Sequence, residues 1–228
     1  MHAHLSARLT AASLRLLLCE PASGSRNMAR DEAVALLAVQ PTLRVYGWER
    51  PEFTIGYATR WQQALLAAGD QPVTRRLTGG GIVAHGSDIT FALVLPRSTP
   101  AAHLSPTSLY QYIHTAIQDV LGQEFGLAAA PVLEKGASSS NECFVAPVPY
   151  DLIHAGRKIL GGAQRRLGHA ILHQGSLRID ISPECFGRAL ATRLAHTSQE
   201  GDLSPQEQRL SASLESDRYS SAHWNQRR

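Results

Sequence analysis

The sequence predicts an α+β domain, an α/β sandwich whose helices pack on a mixed, largely antiparallel sheet. Two patterns carry that expectation. Three β-prone segments near 151–155, 158–166 and 170–179 are separated only by turns at Gly156 and Gly168, which reads as a meander. Helical stretches are interleaved with the other β-prone runs, and the clearest, after Ser105-Pro106, repeats Leu109, Tyr112/Ile113, Ala116/Ile117 and Val120/Leu121. Hairpin-connected strands of this kind argue against a doubly wound parallel sheet. A chain of 228 residues with 43% hydrophobic content can build one large core.

Taken in order, Leu14–Cys19 reads as a first, buried strand, and Pro21 to Ser25 as a turn. A helix through about Val39 follows, with Met28, Glu32/Ala33 and Leu36/Leu37 on one face. Leu43–Trp48 and Phe53–Tyr57 are predicted strands joined by a turn at Glu49-Arg50-Pro51. Trp61–Ala68 is a short helix ended by Gly69-Asp70. Pro72-Val73-Thr74 is a brief β-prone run, and 88–95 is apolar enough for a central strand. Ser105 and Pro106 supply an N-cap and N1 pair for a scaffold helix that Gly126 ends. Residues 136–141 form a small, polar loop. Two helices start at Ser182-Pro183 and Ser204-Pro205, the second with a capping box from Ser204 and Glu207.

Composition narrows the function. A net charge of +3 is too weak to imply nucleic acid as a partner. Three cysteines (Cys19, Cys143 and Cys185) without CxxC spacing suit neither a disulfide framework nor a zinc site, and fit a cytoplasmic location. Leu14 to Cys19 has the look of a signal-peptide core, but Arg15 interrupts it and a bulky leucine precedes the cysteine. No apolar run approaches the ~20 residues of a membrane span.

Two glycine-rich stretches hold the candidate chemistry. The first is Arg75-Arg76-Leu77-Thr78-Gly79-Gly80-Gly81-Ile82-Val83-Ala84-His85. Three successive glycines leave backbone N–H groups open to a ligand, and arginine forks suit phosphate or carboxylate. The plain alternative is a glycine-rich turn with solvated arginines. It is no Walker loop, because no Gly-Lys-Ser/Thr follows. The second is Gly156-Arg157-Lys158-Ile159-Leu160-Gly161-Gly162-Ala163-Gln164-Arg165-Arg166. Lys135 and Lys158 are the only lysines among 22 basic residues, so 20 are arginine. A lysine kept between glycines is a compact, tunable charge that a guanidinium cannot replace. Chance placement in a surface turn is the alternative.

With 27–33 (Asn27-Met28-Ala29-Arg30-Asp31-Glu32-Ala33) and His173-Gln174-Gly175-Ser176-Leu177, these stretches resemble a known catalytic domain. It is shared by lipoate–protein ligases, lipoyl-pathway octanoyltransferases and, more distantly, biotin–protein ligases. The motifs occur in the family's order over about residues 14–180. The resemblance implies the class II synthetase-like fold of the biotin/lipoate ligase domain for 1–180, with 181–228 as a helical extension packed on it.

The resemblance also implies roles. Cys143-Phe144 is similar to the arrangement in single-cysteine octanoyltransferases, where the cysteine carries the acyl group and the lysine assists. Cys143 becomes the nucleophile, and Lys158 the contact for the acyl carbonyl and oxyanion. Arg75, Arg76, Thr78, Gly79, Gly80 and Gly81 become the wall around the acyl group's polar end. Gly161, Ala163, Gln164, His173 and Gly175 shape the pocket, and His85 fixes the loop without an apparent carboxylate partner. Donor and acceptor would be octanoyl-acyl carrier protein and a lipoyl domain of a 2-oxoacid dehydrogenase or the glycine cleavage H protein, with no cofactor and no metal. An ATP- and Mg²⁺-dependent ligase working through an acyl-adenylate stays open, as does a non-catalytic binder of lipoyl domains or acyl chains. Gly81 looks ligase-like; Cys143-Phe144 and the roughly fifty residues after Asp180, too few for the extra domain of many ligases, look transferase-like.

Overall fold

The computed structural model describes residues 11–133 and 148–227. Cys143, Lys135 and the loop expected at 136–141 lie outside the described residues. The frame is an eight-stranded mixed sheet. Its strands are β1 (Ala11–Ala22), β2 (Thr42–Trp48), β6 (Ile89–Pro96), β7 (Ala130–Pro131), β8 (Leu152–His154), β9 (Arg157–Arg166), β10 (Ala170–Leu177) and β11 (Ala195–Glu200). They lie in the order β11-β1-β2-β6-β10-β9-β8-β7. The two pairings of β1 are parallel, and every pairing from β2 to β7 is antiparallel. The expected meander is β8 to β10, turned through Ala155 and Gly156, both at positive φ.

Every residue of β6 and β10 is buried, because each face of the sheet carries its own layer. On one face, α3 (Pro106–Phe125) and α4 (Pro183–Leu194) enclose Phe91, Ile113, Ile117, Phe186 and Leu190. On the other, α1 (Gly24–Leu36) contributes Met28, Ala29 and Val34 to a core with Tyr46, Ala92, Leu172 and Tyr219. A small second sheet, β4 (Val73–Arg75), β3 (Glu52–Ile55) and β5 (Ile82–His85), lies beside α1 and is backed by α2 (Trp61–Ala68).

Local rules explain most element ends. Ser105, Ser182 and Ser204 cap their helices through side-chain oxygens, and Ser204 with Glu207 completes the capping box of α5 (Pro205–Leu214). Gly126 ends α3 in the left-handed conformation, at φ 65°. Two departures have physical reasons. β1 runs past the expected turn because its register shifts between Cys19 and Ala22, which accommodates Pro21. α1 accordingly starts at Gly24, with Ser23 as its cap. Residues 181–228 are not helices alone: β11 adds an edge strand beside β1, although only Ala195 of it is buried. Six residues that are polar after the first carry no apolar alternation to announce a strand.

One buried polar hub ties α1 to the main sheet. Asp31 accepts from Arg44 Nη1 (2.6 Å), the Tyr46 hydroxyl (2.7 Å) and Gln174 Nε2 (2.7 Å), joining β2 and β10 to the helix. Arg44 also reaches the Asn27 side-chain oxygen at 2.6 Å, and neither Asp31 nor Arg44 is more than 1% exposed. Removing one partner of such a pair strands a buried charge. Asp31→Ala is therefore expected to lower folding stability by about 3–5 kcal/mol, read as a fall in the urea midpoint.

Candidate active site

A recess of about 410 Å³, counting its open mouth, lies between the two sheets. The main sheet supplies Tyr46 and Trp48 from β2, Thr90 from β6, Gly161, Gly162 and Ala163 from β9, and Gln174, Gly175 and Ser176 from β10. Thr54, Arg76, Val83 and His85 close the opposite side, and Met28 of α1 forms part of the wall. Among the described residues no carboxylate lines the space. Its outline suits an apolar chain with a few fixed polar contacts.

The glycine loop is shaped by its carbonyls. Tyr57 N–H donates to Thr78 O (2.8 Å), Arg76 Nη2 to Gly79 O (2.9 Å) and Gly81 O (3.1 Å), and the Thr59 hydroxyl to Gly80 O (3.1 Å). Gly56 N–H also donates to Gly81 O at 3.2 Å. With the carbonyls engaged by this chain, the loop's N–H groups are, among the described residues, the polar atoms left for a ligand. Gly56 must be glycine here, since a Cβ would stand 1.9 Å from Gly80 O. Gly80 itself sits at φ 90°.

Asp88 secures the Trp48–His85 end. It accepts from His85 Nδ1 (2.8 Å), the hydroxyls of Ser176 (2.6 Å) and Thr90 (3.0 Å), and Gly86 N–H (3.0 Å). His85 Nε2 then accepts from the Thr54 hydroxyl at 2.7 Å, and its ring stacks on Trp48 with centroids 3.9 Å apart. Burial pushes the His85 imidazole below its usual range, so the neutral ring is the form held there. Burial alone would raise the Asp88 carboxyl, but His85, Ser176 and the Gly86 N–H outweigh it and hold it at about 2.

Lys158 of β9 sits beside the Gly161 wall. A Cβ at Gly161 would lie 2.8 Å from both Cε and Nζ of the lysine, so the missing side chain is the space the lysine fills. Its ammonium lies 2.7 Å from Asp151 Oδ2.

Comparison with known proteins identifies the domain. Residues 23–209 match the lipoyl protein ligase A/B catalytic domain. The chain belongs to that family. The octanoyltransferase LipM of Kyrpidia tusciae is 36% identical over 187 residues, covering 75% of this chain and 68% of that protein. The Exiguobacterium LipM is 33% identical over 198 residues, covering 78% and 71%. Among solved structures, a putative lipoate protein ligase from T. acidophilum superposes with a TM-score of 0.77 at 24% identity, over 95% of this chain and all of the other. Lipoate-protein ligase A bound with ATP gives 0.75 at 23%, over 94% and 98%. The expected lipoate-ligase fold is thus the fold found.

Within this lipoyl ligase domain, Arg76, His85, Gly161, Ala163 and Gly175 line the recess. Gly79, Gly80 and Gly81 form the loop beside it. Thr78 is buried and donates to Gln174 Oε1 at 2.6 Å, which ties the loop to β10. Arg75 does not line the recess. Its guanidinium is buried among backbone carbonyls, at 2.7 Å from Thr59 O and 2.8 Å from Asn225 O, joining the loop after β3 to α6 (Ala222–Asn225). Gln164 points toward Pro106 O, and His173 faces the opposite layer beside Phe91, Tyr110 and His114.

Sequence reasoning missed several of these partners. The carboxylate for His85 is Asp88, three residues on and hidden by the turn between β5 and β6. Asp151 was legible in principle, because the β8–β9 hairpin register brings its neighbour Leu152 opposite Leu160. Tyr110 and His114 share a face of α3, so this helix is more than scaffold. Cys185 is exposed and Cys19 half-buried. His154 and His169 contact the Ala128 and Ala35 carbonyls, and no group able to hold a metal occurs among the described residues.

His173 has a cost that pH exposes. Both its nitrogens and Nε2 of His114 are buried without hydrogen-bond partners among the described residues. Burial lowers the His173 pKa to about 3, and burial together with His173 lowers that of His114 well below normal. The unfolded chain binds a proton near pH ~6.5 that the fold refuses until about 3, so stability falls as pH drops through that window. His173→Leu should remove one proton's worth of slope, about 1.4 kcal/mol per pH unit, in urea titrations between pH 6 and 4.

Proposed function

We propose that this protein is a protein-lysine octanoyltransferase. Octanoyl passes from the thioester of acyl carrier protein to Cys143, and then to a lysine on a lipoyl domain. The observation that carries the proposal is the lysine placed at the glycine wall of an apolar recess, in a chain 36% identical to an octanoyltransferase. In the first step the Cys143 thiolate attacks the acyl carbonyl and the carrier's sulfur leaves as a thiolate, which takes up the proton that Cys143 gave up, an exchange of one thioester for another. In the second, the acceptor amine attacks the Cys143 thioester, an amide forms and the Cys143 thiol leaves.

This chain's residues have definable tasks in that scheme. Lys158 supplies positive charge where each tetrahedral intermediate gathers negative charge. The N–H groups of Gly79, Gly80 and Gly81 suit the polar end of the acyl group. Met28, Tyr46, Trp48 and Val83 exclude water from its hydrocarbon tail. Lipoyl domains are the acceptor class that the family supports; a 2-oxoacid dehydrogenase or the glycine cleavage H protein is the proposed source.

The ATP-dependent ligase is the second reading, favoured by Gly81. There the loop N–H groups and Lys158 would hold a carboxylate and a phosphate. The 36% identity to an octanoyltransferase favours the transferase.

Cys143→Ser separates the two. Incubated with octanoyl-acyl carrier protein, the wild type should gain the mass of one octanoyl group, removable by neutral hydroxylamine, and the variant should gain none and modify no lipoyl domain. Full modification by the variant from lipoate and ATP would move the assignment to the ligase.

A further inference from the structure

Two polar side chains behind the recess, Asp151 and Tyr110, have no part in the scheme above. Asp151, just before β8, has a side chain 0% exposed, and the Lys158 side chain is 4% exposed. Lys158 Nζ and Asp151 Oδ2 are 2.7 Å apart. The same oxygen accepts from Val148 N–H at 2.7 Å. The other, Oδ1, accepts from the Tyr110 hydroxyl at 2.5 Å, and the Tyr110 oxygen in turn accepts from Gly162 N–H at 2.9 Å. A phenol has one proton to give. Because Gly162 N–H can only donate, that proton is directed to the carboxylate. The Tyr110 ring is held in turn by His114, with centroids 3.9 Å apart.

This chain of bonds therefore runs from the backbone of the recess wall, through a helix of the opposite layer, to the lysine. Gly162 lines the recess, and Lys158 lies against its neighbour Gly161. A lysine side chain has several rotatable bonds and loses its aim unless something holds its end.

We propose that Asp151 is a positioning residue for Lys158, with Tyr110 orienting the carboxylate through its bond to Gly162 N–H. This rests on Lys158 assisting the reaction, and it goes beyond that reading by assigning the group that aims the lysine. Asp151 does not line the recess. Its work is to hold the ammonium beside Gly161, where a misplacement of about 1 Å costs roughly 100-fold in rate.

The test uses the full chain and the variants Asp151→Asn, Asp151→Glu and Tyr110→Phe, with two independent readouts. Kinetics with octanoyl-acyl carrier protein and a lipoyl domain should show kcat down about 100-fold in Asp151→Asn. Tyr110→Phe should lose roughly tenfold, as for one hydrogen bond to a charged group. KM for the lipoyl domain should stay unchanged, and Asp151→Glu should recover part of the loss. The second readout needs no acyl chemistry. With only Lys135 and Lys158 in the chain, ε-¹³C-lysine labelling gives two signals. One should move in Asp151→Asn and, less far, in Tyr110→Phe, while the other stays; Lys158→Arg assigns them by deleting one. If the wild type takes no octanoyl, the transferase reading fails, and the lysine signals alone decide the positioning. An unmoved Lys158 signal in Asp151→Asn overturns the proposal, as does a loss of kcat matched by an equal loss of folded protein.

Discussion

Two buried guanidinium groups hold the glycine loop against the small sheet, and the site depends on that contact. Arg75 and Arg76 are neighbours in the chain but face different ways. Arg76 donates into the loop at Gly79 O and Gly81 O, while Arg75 grips Gly56, Tyr57 and Thr59 from behind. Between them, Gly56 and Gly80 approach so closely that a single Cβ cannot be fitted. Backbone carbonyls crowded in this way need positive charge and directional donors at several points, which the planar guanidinium supplies. The result is a loop that presents N–H groups with little left to rearrange on binding.

The same logic recurs on the far side of the recess. Asp31 and Asp88 are each buried: Asp31 of α1 collects donors from β2 and β10 of the main sheet, and Asp88 from β5 of the small sheet and β6 and β10 of the main one. A carboxylate satisfied this way acts as a fixed node, since moving any one strand would leave a charge uncompensated. The walls thus keep a defined width although the space between them is mostly apolar. Arg75 also engages Trp224 and Asn225, so the residues after β11 take part in holding the loop.

Placing a buried ammonium at the edge of a mostly apolar recess is physically demanding. The fold meets the demand by omission: Gly161 leaves room for the lysine, and Gly162 leaves room for His173. Successive residues on a strand face opposite sides. Two adjacent glycines therefore open both faces of β9, one toward Lys158 and one toward the helix that carries Tyr110. The glycine pair thus serves the lysine's surroundings as much as any ligand.

Much of this was legible in the linear chain, and the division has a physical basis. Helix caps, the meander, the glycine loops and the singular lysine are local features, written within a few residues of one another, so propensity and spacing reveal them. Family motifs added the domain and its fold. Tertiary structure alone decided which way each arginine faces, that Asp88 serves His85, and that a tyrosine 41 residues before Asp151 orients it. It also decided that a polar segment, 195–200, completes the sheet beside β1. Apart from the His85–Asp88 pair, which the turn between β5 and β6 sets, such contacts join residues far apart in sequence; they exist only once the layers have packed and buried polar atoms must find partners.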